Sequence, residues 1–302
     1  MRAFSFQAFR PPGNLHLIVR QIVEGYLTGL HRSPFKGYSI EFAEHRPYTP
    51  GDEIRHIDWR AFGKTDKYYI KEFEEETNLN CHLIIDISKS MAYRGKGQSL
   101  AKIDFARRLV AILAYMFLKQ TDAVGLLAVS SEVKENLPPA TTVKHLLRMF
   151  QLLENVAPAG TTELSQCIQT VACQYLKRRS LVVICSDFFG DLDLLTQSLK
   201  YLRHRNHEVI LCQILDPDEI HFPFTRVAQF RNMETPDQMV KVSPKQFRDE
   251  YLKNFATFCN RLQKEANQLR MDCWQFSTDI DMGTALGNVI NMRLRMLKGA
   301  KN

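Results

Sequence analysis

Hydrophobic positions fall into three regimes along this chain. Near its start, Leu15, Ile18, Val19, Ile22, Val23, Tyr26, Leu27 and Leu30 recur at i, i+3, i+4 and i+7. That spacing predicts an amphipathic helix of about four turns. Pro11-Pro12-Gly13 precedes it and Ser33-Pro34 follows it, both breakers. Residues 36–80 lose the helical period and read as short strands and turns. From Cys81 onward, near-continuous apolar runs alternate with helical patterns. Strands are predicted over 81–86, 123–130, 181–186, 208–215 and 271–276, with an extended piece near 133–137 and a hairpin of polar strands over 227–242. Helices are predicted over 99–120, 142–155, 163–177, 192–205, 244–269 and 284–297. Pro244 falls in a first helical turn, where proline is tolerated.

Apolar strands separated by helices imply an α/β fold, a Rossmann-like parallel sheet covered by helices on both faces. The change of pattern divides the chain into an N-terminal helix plus strand-rich extension, 1–80, and an α/β domain, 81–302. In such sheets ligands bind beyond the carboxyl ends of the strands. Asp86 and Asp187 end the two most apolar runs, Leu83-Ile84-Ile85 and Leu181–Ser186, so both belong to one candidate site.

The residues there suit a hard cation. In Asp86-Ile87-Ser88-Lys89-Ser90 a carboxylate and two hydroxyls alternate at the strand's mouth. Gly160-Thr161-Thr162-Glu163-Leu164 adds a hydroxyl in a tight turn before a helix, and Asp187 adds a second carboxylate. Mg²⁺ takes near-octahedral oxygen ligands, keeps several waters and is commonly held by one or two carboxylates. A set of two carboxylates and hydroxyls leaves coordination positions to water, which a carboxylate from outside can displace. The D-x-S-x-S pattern alone is weakly specific, because Asp and Ser also cap helices. The loop and the second strand-end Asp are what raise it to a candidate metal centre.

Composition narrows the picture without redirecting it. With 302 residues and 45% hydrophobic positions, the chain can bury a sizeable core. Its longest uncharged apolar stretch, Leu109–Leu118, falls far short of the roughly 20 residues of a membrane span, and no signal-peptide core opens the sequence. A soluble, cytoplasmic protein is the expectation. Seven cysteines without a C-x-x-C pair read as free thiols in a reducing compartment. The net charge of +7 is modest, and the basic clusters Lys177-Arg178-Arg179 and Arg203-His204-Arg205 lack interleaved aromatics, which argues against a nucleic-acid partner. No histidine has zinc-like spacing.

A second signature lies upstream. Arg46, Asp52, Arg55 and Asp58 can alternate as ion pairs around Tyr48 and Trp59, with Pro50-Gly51-Asp52 as a tight turn. A hydrogen-bonded clamp that locks this strand segment onto the sheet is the plain reading; a binding surface is the other. The run R-x-Y-x-x-G-D-x-x-R-x-I-D-W, followed by K-x-F-E-x-E (Lys71 to Glu76) and then D-x-S-x-S, resembles domain-of-unknown-function family 58, bacterial proteins of von Willebrand factor A-like type. Ile214-Leu215-Asp216-Pro217-Asp218-Glu219 and Ser277-Thr278-Asp279 extend the likeness, while Ala61-Phe62-Gly63-Lys64 departs from the usual A-R-T continuation.

The resemblance implies a metal-ion-dependent adhesion site in which Asp86, Ser88, Ser90, Thr162 and Asp187 gather around Mg²⁺, with Mn²⁺ or Ca²⁺ as substitutes. The G-x-T-x-T/L pattern selects Thr162 over Thr161. It further implies an adaptor working with a MoxR-type AAA+ ATPase, or with a client protein presenting Glu or Asp, in chaperone-like or complex-maturation activity. The competing expectation is an enzyme of metal-assisted phosphoryl transfer or hydrolysis at the same strand ends. Against it, the position two after Asp86 is Ser88, where a haloacid-dehalogenase-type phosphotransferase carries a second Asp. There is also no G-x-x-x-x-G-K-[ST] loop.

Overall fold

The strand that ends in Asp86 is buried along nearly its whole length, and the rest of the fold is arranged to cover it. The computed structural model describes residues 15, 17–19, 22–23, 46–47, 63, 68–70, 80–95, 97, 100–160, 163–225, 228–231, 233, 239–242, 244–285 and 287. The chain divides into two compact units, one of Met1–Leu27 with Leu79–Asn302 and one of Thr28–Asn78. In the smaller unit, β1 (Arg46–Pro47) pairs antiparallel with β2 (Tyr69–Ile70). The signature residues 52, 55, 58 and 59 lie outside the described residues.

The larger unit is built on a six-stranded sheet. Its strands are β3 (Asn80–Asp86), β4 (Ala123–Val129), β5 (Val133–Ala140), β6 (Ser180–Ser186), β7 (Glu208–Leu215) and, last in the chain, β10 (Asp272–Ser277). Their spatial order is β10-β7-β6-β3-β4-β5, parallel throughout except for β5. The expected α/β sheet is therefore present with one antiparallel edge. The reason is local: only Ser130–Glu132 joins β4 to β5, with Ser130 N–H donating to the Glu132 carbonyl at 3.0 Å. So short a link permits a hairpin but no parallel crossover. Pro138 and Pro139 lie in this edge strand, where a missing N–H is tolerated. Gly125 faces it closely: a Cβ there would approach the Leu137 carbonyl oxygen and Pro139 to 3.0 Å.

Helices cover both faces. They are α1 (Lys102–Lys119), α2 (Val143–Asn155), α3 (Leu164–Gln174), α4 (Leu192–His204), α5 (Pro217–His221) and α6 (Pro244–Gln268). The two-residue period of the strands sorts their side chains. Leu83 and Ile85 join Val183, Ile210 and Cys212 against α1 and α2. Ile84 joins Val182, Ile184 and Leu211 against α3, α4 and Leu262 of α6. Burial on both sides is why these strands read as unbroken apolar runs. Leu15, Val19 and Val23, expected in a separate N-terminal extension, are helical and lie in the first of these cores, with the Leu15 N–H donating to Glu154 Oε1 at 2.9 Å.

The polar hairpin is observed as β8 (Ala228–Arg231) and β9 (Met239–Val242). The 3-10 turn Lys89–Ala92 and α5 have no counterpart in the hydrophobic pattern, since caps and turns rather than periodicity define them. The closing helix expected over 284–297 falls mostly outside the described residues. Among the described residues, no helix is long and apolar enough to cross a membrane.

Two histidines are enclosed at the opposite end of the sheet from Asp86. His82 in β3 is buried, and burial together with His207 lowers its pKa to about 4. His207 is also buried, and neither ring nitrogen finds a partner among the described residues. A histidine whose pKa is depressed on folding contributes stability above its ordinary pKa of 6.5 that is lost as pH falls toward 4. His82→Gln is expected to remove about 3 kcal/mol of that acid destabilisation. Denaturant unfolding of both proteins at each pH from 7 to 4 measures it; parallel curves would show that His82 does not contribute.

Candidate metal centre at the strand ends

Asp86 and Asp187 lie beyond the carboxyl ends of two adjacent strands, β3 and β6. From β3 the chain goes on to β4 on one side, and from β6 to β7 on the other. This reversal is the switch point where open α/β sheets bind ligands. Both carboxylates are fully buried.

Asp86 is held at both oxygens. Its Oδ1 accepts the Ser88 N–H at 2.8 Å and its Oδ2 accepts the Ser186 hydroxyl at 2.6 Å. Ser186 in turn accepts the Phe188 N–H at 2.9 Å. Ser88 Oγ and Ser90 Oγ are 3.0 Å apart, so the two hydroxyls of the D-x-S-x-S run converge beside the carboxylate. The turn is strapped down from three sides. Ile87 N–H donates to the Val129 carbonyl at 2.7 Å, Ala159 N–H to the Ile87 carbonyl at 2.8 Å, and Lys89 N–H to the Gly160 carbonyl at 3.3 Å. Gly160 has φ +82° and leaves only 3.2 Å between a would-be Cβ and Ser130 Oγ, so a side chain is disfavoured there. The loop thus fixes Gly160 next to the serine turn. Thr162, two residues on, lies outside the described residues, as does Thr161.

Asp187 faces a lysine instead. Its Oδ1 accepts the Phe189 N–H at 3.1 Å, and its Oδ2 takes the Lys102 ammonium at 2.9 Å. The same Nζ reaches Glu219 Oε1 at 2.6 Å. Lys102 is 1% exposed, and the rings of Phe189 and Tyr93 stand 5.1 and 5.9 Å from its nitrogen. Burial works against its charge, but Asp187 and Glu219 outweigh that and hold the ammonium above its ordinary pKa. Glu219 is itself fixed by the capping box of α5, its Oε2 accepting the Asp216 N–H at 2.8 Å. Phe188, directly after Asp187, takes the left-handed φ of 60°, a strained position for a bulky side chain.

Of the residues the sequence singles out, the structure thus brings Asp86, Ser88, Ser90 and Asp187 to one sheet end. It adds three that sequence reasoning passed over. Ser186 sits inside the quoted strand but carried no signal of its own. Lys102 is a charge at the head of a helical run that also carries Asp104, Arg107 and Arg108, and Glu219 stands in the Asp216-Pro217-Asp218-Glu219 cap. A cation in a first helical turn opposes the helix dipole, and that anomaly is the one sequence cue to Lys102.

The donor set fits a small hard cation: carboxylate and hydroxyl oxygens only, around a carboxylate that is poorly compensated as it stands. Burial, then the charge of Asp187, push the Asp86 carboxyl up to about 6 against the opposing bonds from Ser186 and Ser88. Among the described residues no three His, Cys, Asp or Glu side chains gather as a denser metal cluster would. An acid whose pKa rises on folding contributes stability below its ordinary value that is lost as pH climbs through about 6. At pH 7 in EDTA, Asp86→Asn is therefore expected to be more stable than the native chain by about 2–3 kcal/mol. The difference should vanish near pH 4. Thermal unfolding at both pH values checks it, and a less stable variant at pH 7 would show that Asp86 carries no such penalty.

Comparison with known proteins agrees with this architecture. The model of the family described as "Protein of unknown function DUF58" matches residues 44–258. Uncharacterized proteins of Mycobacterium tuberculosis and Mycobacterium bovis are each 28% identical over 213 residues, 69% of this chain. The match spans 65% of their own length. Among solved structures, an aerotolerance-related membrane protein from Bacteroides fragilis, with multiple mutations to serines, superposes with a TM-score of 0.50 at 16% identity. That superposition covers 72% of this chain and 99% of the other and speaks to the fold alone. The family signature, running from the extension through the strand-end carboxylates into α6, places this chain in the DUF58 family.

Proposed function

We propose that the strand-end site binds Mg²⁺ and uses it to capture a carboxylate from a partner protein. Asp86, Ser88, Ser90 and Asp187 would hold the ion, with Thr162 completing the set; Mn²⁺ or Ca²⁺ would substitute. The ion's contribution is a Lewis-acidic position open to an anionic ligand. The observation that carries the reading is the Asp86 carboxylate, fully buried and yet braced by Ser186 and Ser88 in its ionised form beside two converging hydroxyls. Such a group is costly unless a cation meets it.

The partner proposed is a MoxR-type AAA+ ATPase or its client, presenting Glu or Asp, with the protein acting as an adaptor in chaperone-like or complex-maturation activity. This choice of partner rests on what the resemblance to the DUF58 family implies. A binding role is favoured over hydrolysis because both oxygens of Asp86 are occupied by the fold's own donors, which suits a fixed ligand better than a nucleophile.

The test is direct binding between this protein and the MoxR-type ATPase of its own genome, by calorimetry with Mg²⁺ and with EDTA. Affinity is expected to fall at least about tenfold in EDTA, the scale of one charge-assisted contact. Asp86→Ala should bind no better with Mg²⁺ than without it while keeping its circular dichroism spectrum. Binding that ignores both EDTA and Asp86→Ala would overturn the proposal.

A further inference from the structure

Lys102 is an expensive residue to place where it is. It is the first residue of α1, against the helix dipole, and its side chain is enclosed. Lysine loses much rotamer freedom on burial and seldom lies in a core unless paired. The chain supplies that pairing twice, through Asp187 and Glu219, and roofs the ammonium with Phe189. Phe189 belongs to the turn that Asp187 opens, and its N–H anchors Asp187 Oδ1. The remaining oxygen, Oδ2, is the one that Lys102 takes.

We infer that Lys102 is a built-in rival of the divalent cation: its ammonium competes with the ion for Asp187, and Glu219 is the berth to which it can retire. This rests on the metal-binding reading above and deepens it. An ion drawn to Asp86 and the two serines meets an Asp187 whose Oδ2 is already neutralised at 2.9 Å. Asp187 joins the ion only as far as the ammonium leans toward Glu219, 2.6 Å away. Glu219 is rigid enough to serve, because the Asp216 N–H holds its other oxygen. The consequence is a metal bound weakly and exchangeably until a further carboxylate arrives, so that ion and partner load together.

The rivalry makes two opposite predictions. Lys102→Met keeps the stem's bulk and removes the charge, so it should tighten Mg²⁺ and Mn²⁺ binding about tenfold. Glu219→Gln keeps the capping box, which accepts Gln as well as Glu, but weakens the alternative berth. It should loosen metal binding several-fold. Mn²⁺ binding by electron paramagnetic resonance and Mg²⁺ binding by calorimetry, on the full chain without partner, read both. Melting curves with and without Mg²⁺ add a second signal, with Lys102→Met gaining more from the ion than the native protein does. A brace with no competing role would give weaker or unchanged binding in Lys102→Met, and that result overturns the inference. Should Lys102→Met fail to fold, Glu219→Gln decides alone: binding as tight as native overturns it. Absence of Mn²⁺ binding by the native chain, Lys102→Met and Glu219→Gln alike at millimolar ion overturns the metal reading itself, and this inference with it. Binding that Asp86→Ala abolishes while the other variants match the native chain overturns the rivalry alone.

Discussion

Two carboxylates buried at the ends of neighbouring strands set the terms for this end of the molecule. Like charges in a low-dielectric interior raise each other's cost, and each needs a compensating donor or cation. The structure answers with unequal means. Among the described residues Asp86 receives neutral donors, Ser88 N–H and Ser186 Oγ–H, and its carboxyl is pushed up to about 6 by burial and by Asp187. Asp187 receives a full positive charge from Lys102. One carboxylate is thus settled and the other left wanting, which is the asymmetry expected of a site built for function rather than for stability.

The sheet determines why this happens here. A parallel strand covered on both faces exposes its polar backbone only at its ends, and the switch point between β3 and β6 is where the crossovers part and leave room. The same burial that makes β3 and β6 rigid makes their terminal residues accurate. Asp86 continues a strand registered to both neighbours, Ile84 facing Leu127 and Ile184. The serine turn that follows has no regular partner and is instead pinned by single bonds from Val129, Gly160 and Ala159. Core strands therefore fix the carboxylates, while loop contacts fix the hydroxyls.

Much of this was legible in the sequence, for identifiable reasons. Unbroken runs such as Leu181–Ser186 announce a strand buried on both faces, and the site carboxylates follow from where those runs stop. Boundaries shifted by a few residues where caps decide them: α1 begins at Lys102 rather than at Ser99, and α3 ends at Gln174 rather than at Lys177. The antiparallel edge was not legible, because the three-residue link between β4 and β5 reads as an interruption and not as a direction. Nor was the placing of Leu15, Val19 and Val23, since an amphipathic stripe states that a face is buried without stating against what. Lys102 escaped for the same reason. Its two partners are 85 and 117 residues away in the chain.

That remoteness is also what makes Lys102 consequential. Through one nitrogen it joins the first turn of α1, the end of β6 and the cap of α5, three elements that share no local sequence. Around it the aromatic contacts continue outward: Phe189 packs on Phe258 and Phe255 of α6, and Tyr251 of the same helix stacks on Phe255 and donates its hydroxyl to the Glu219 carbonyl at 3.0 Å. Any shift of the ammonium between Asp187 and Glu219 would therefore be felt under α6, whose outer face is largely polar and exposed. A charge poised between two carboxylates is a poor source of stability, because the desolvation it demands offsets most of what it gains. It is well suited to coupling the state of a strand-end site to a helix on the surface, since moving it changes two elements at once without opening the core.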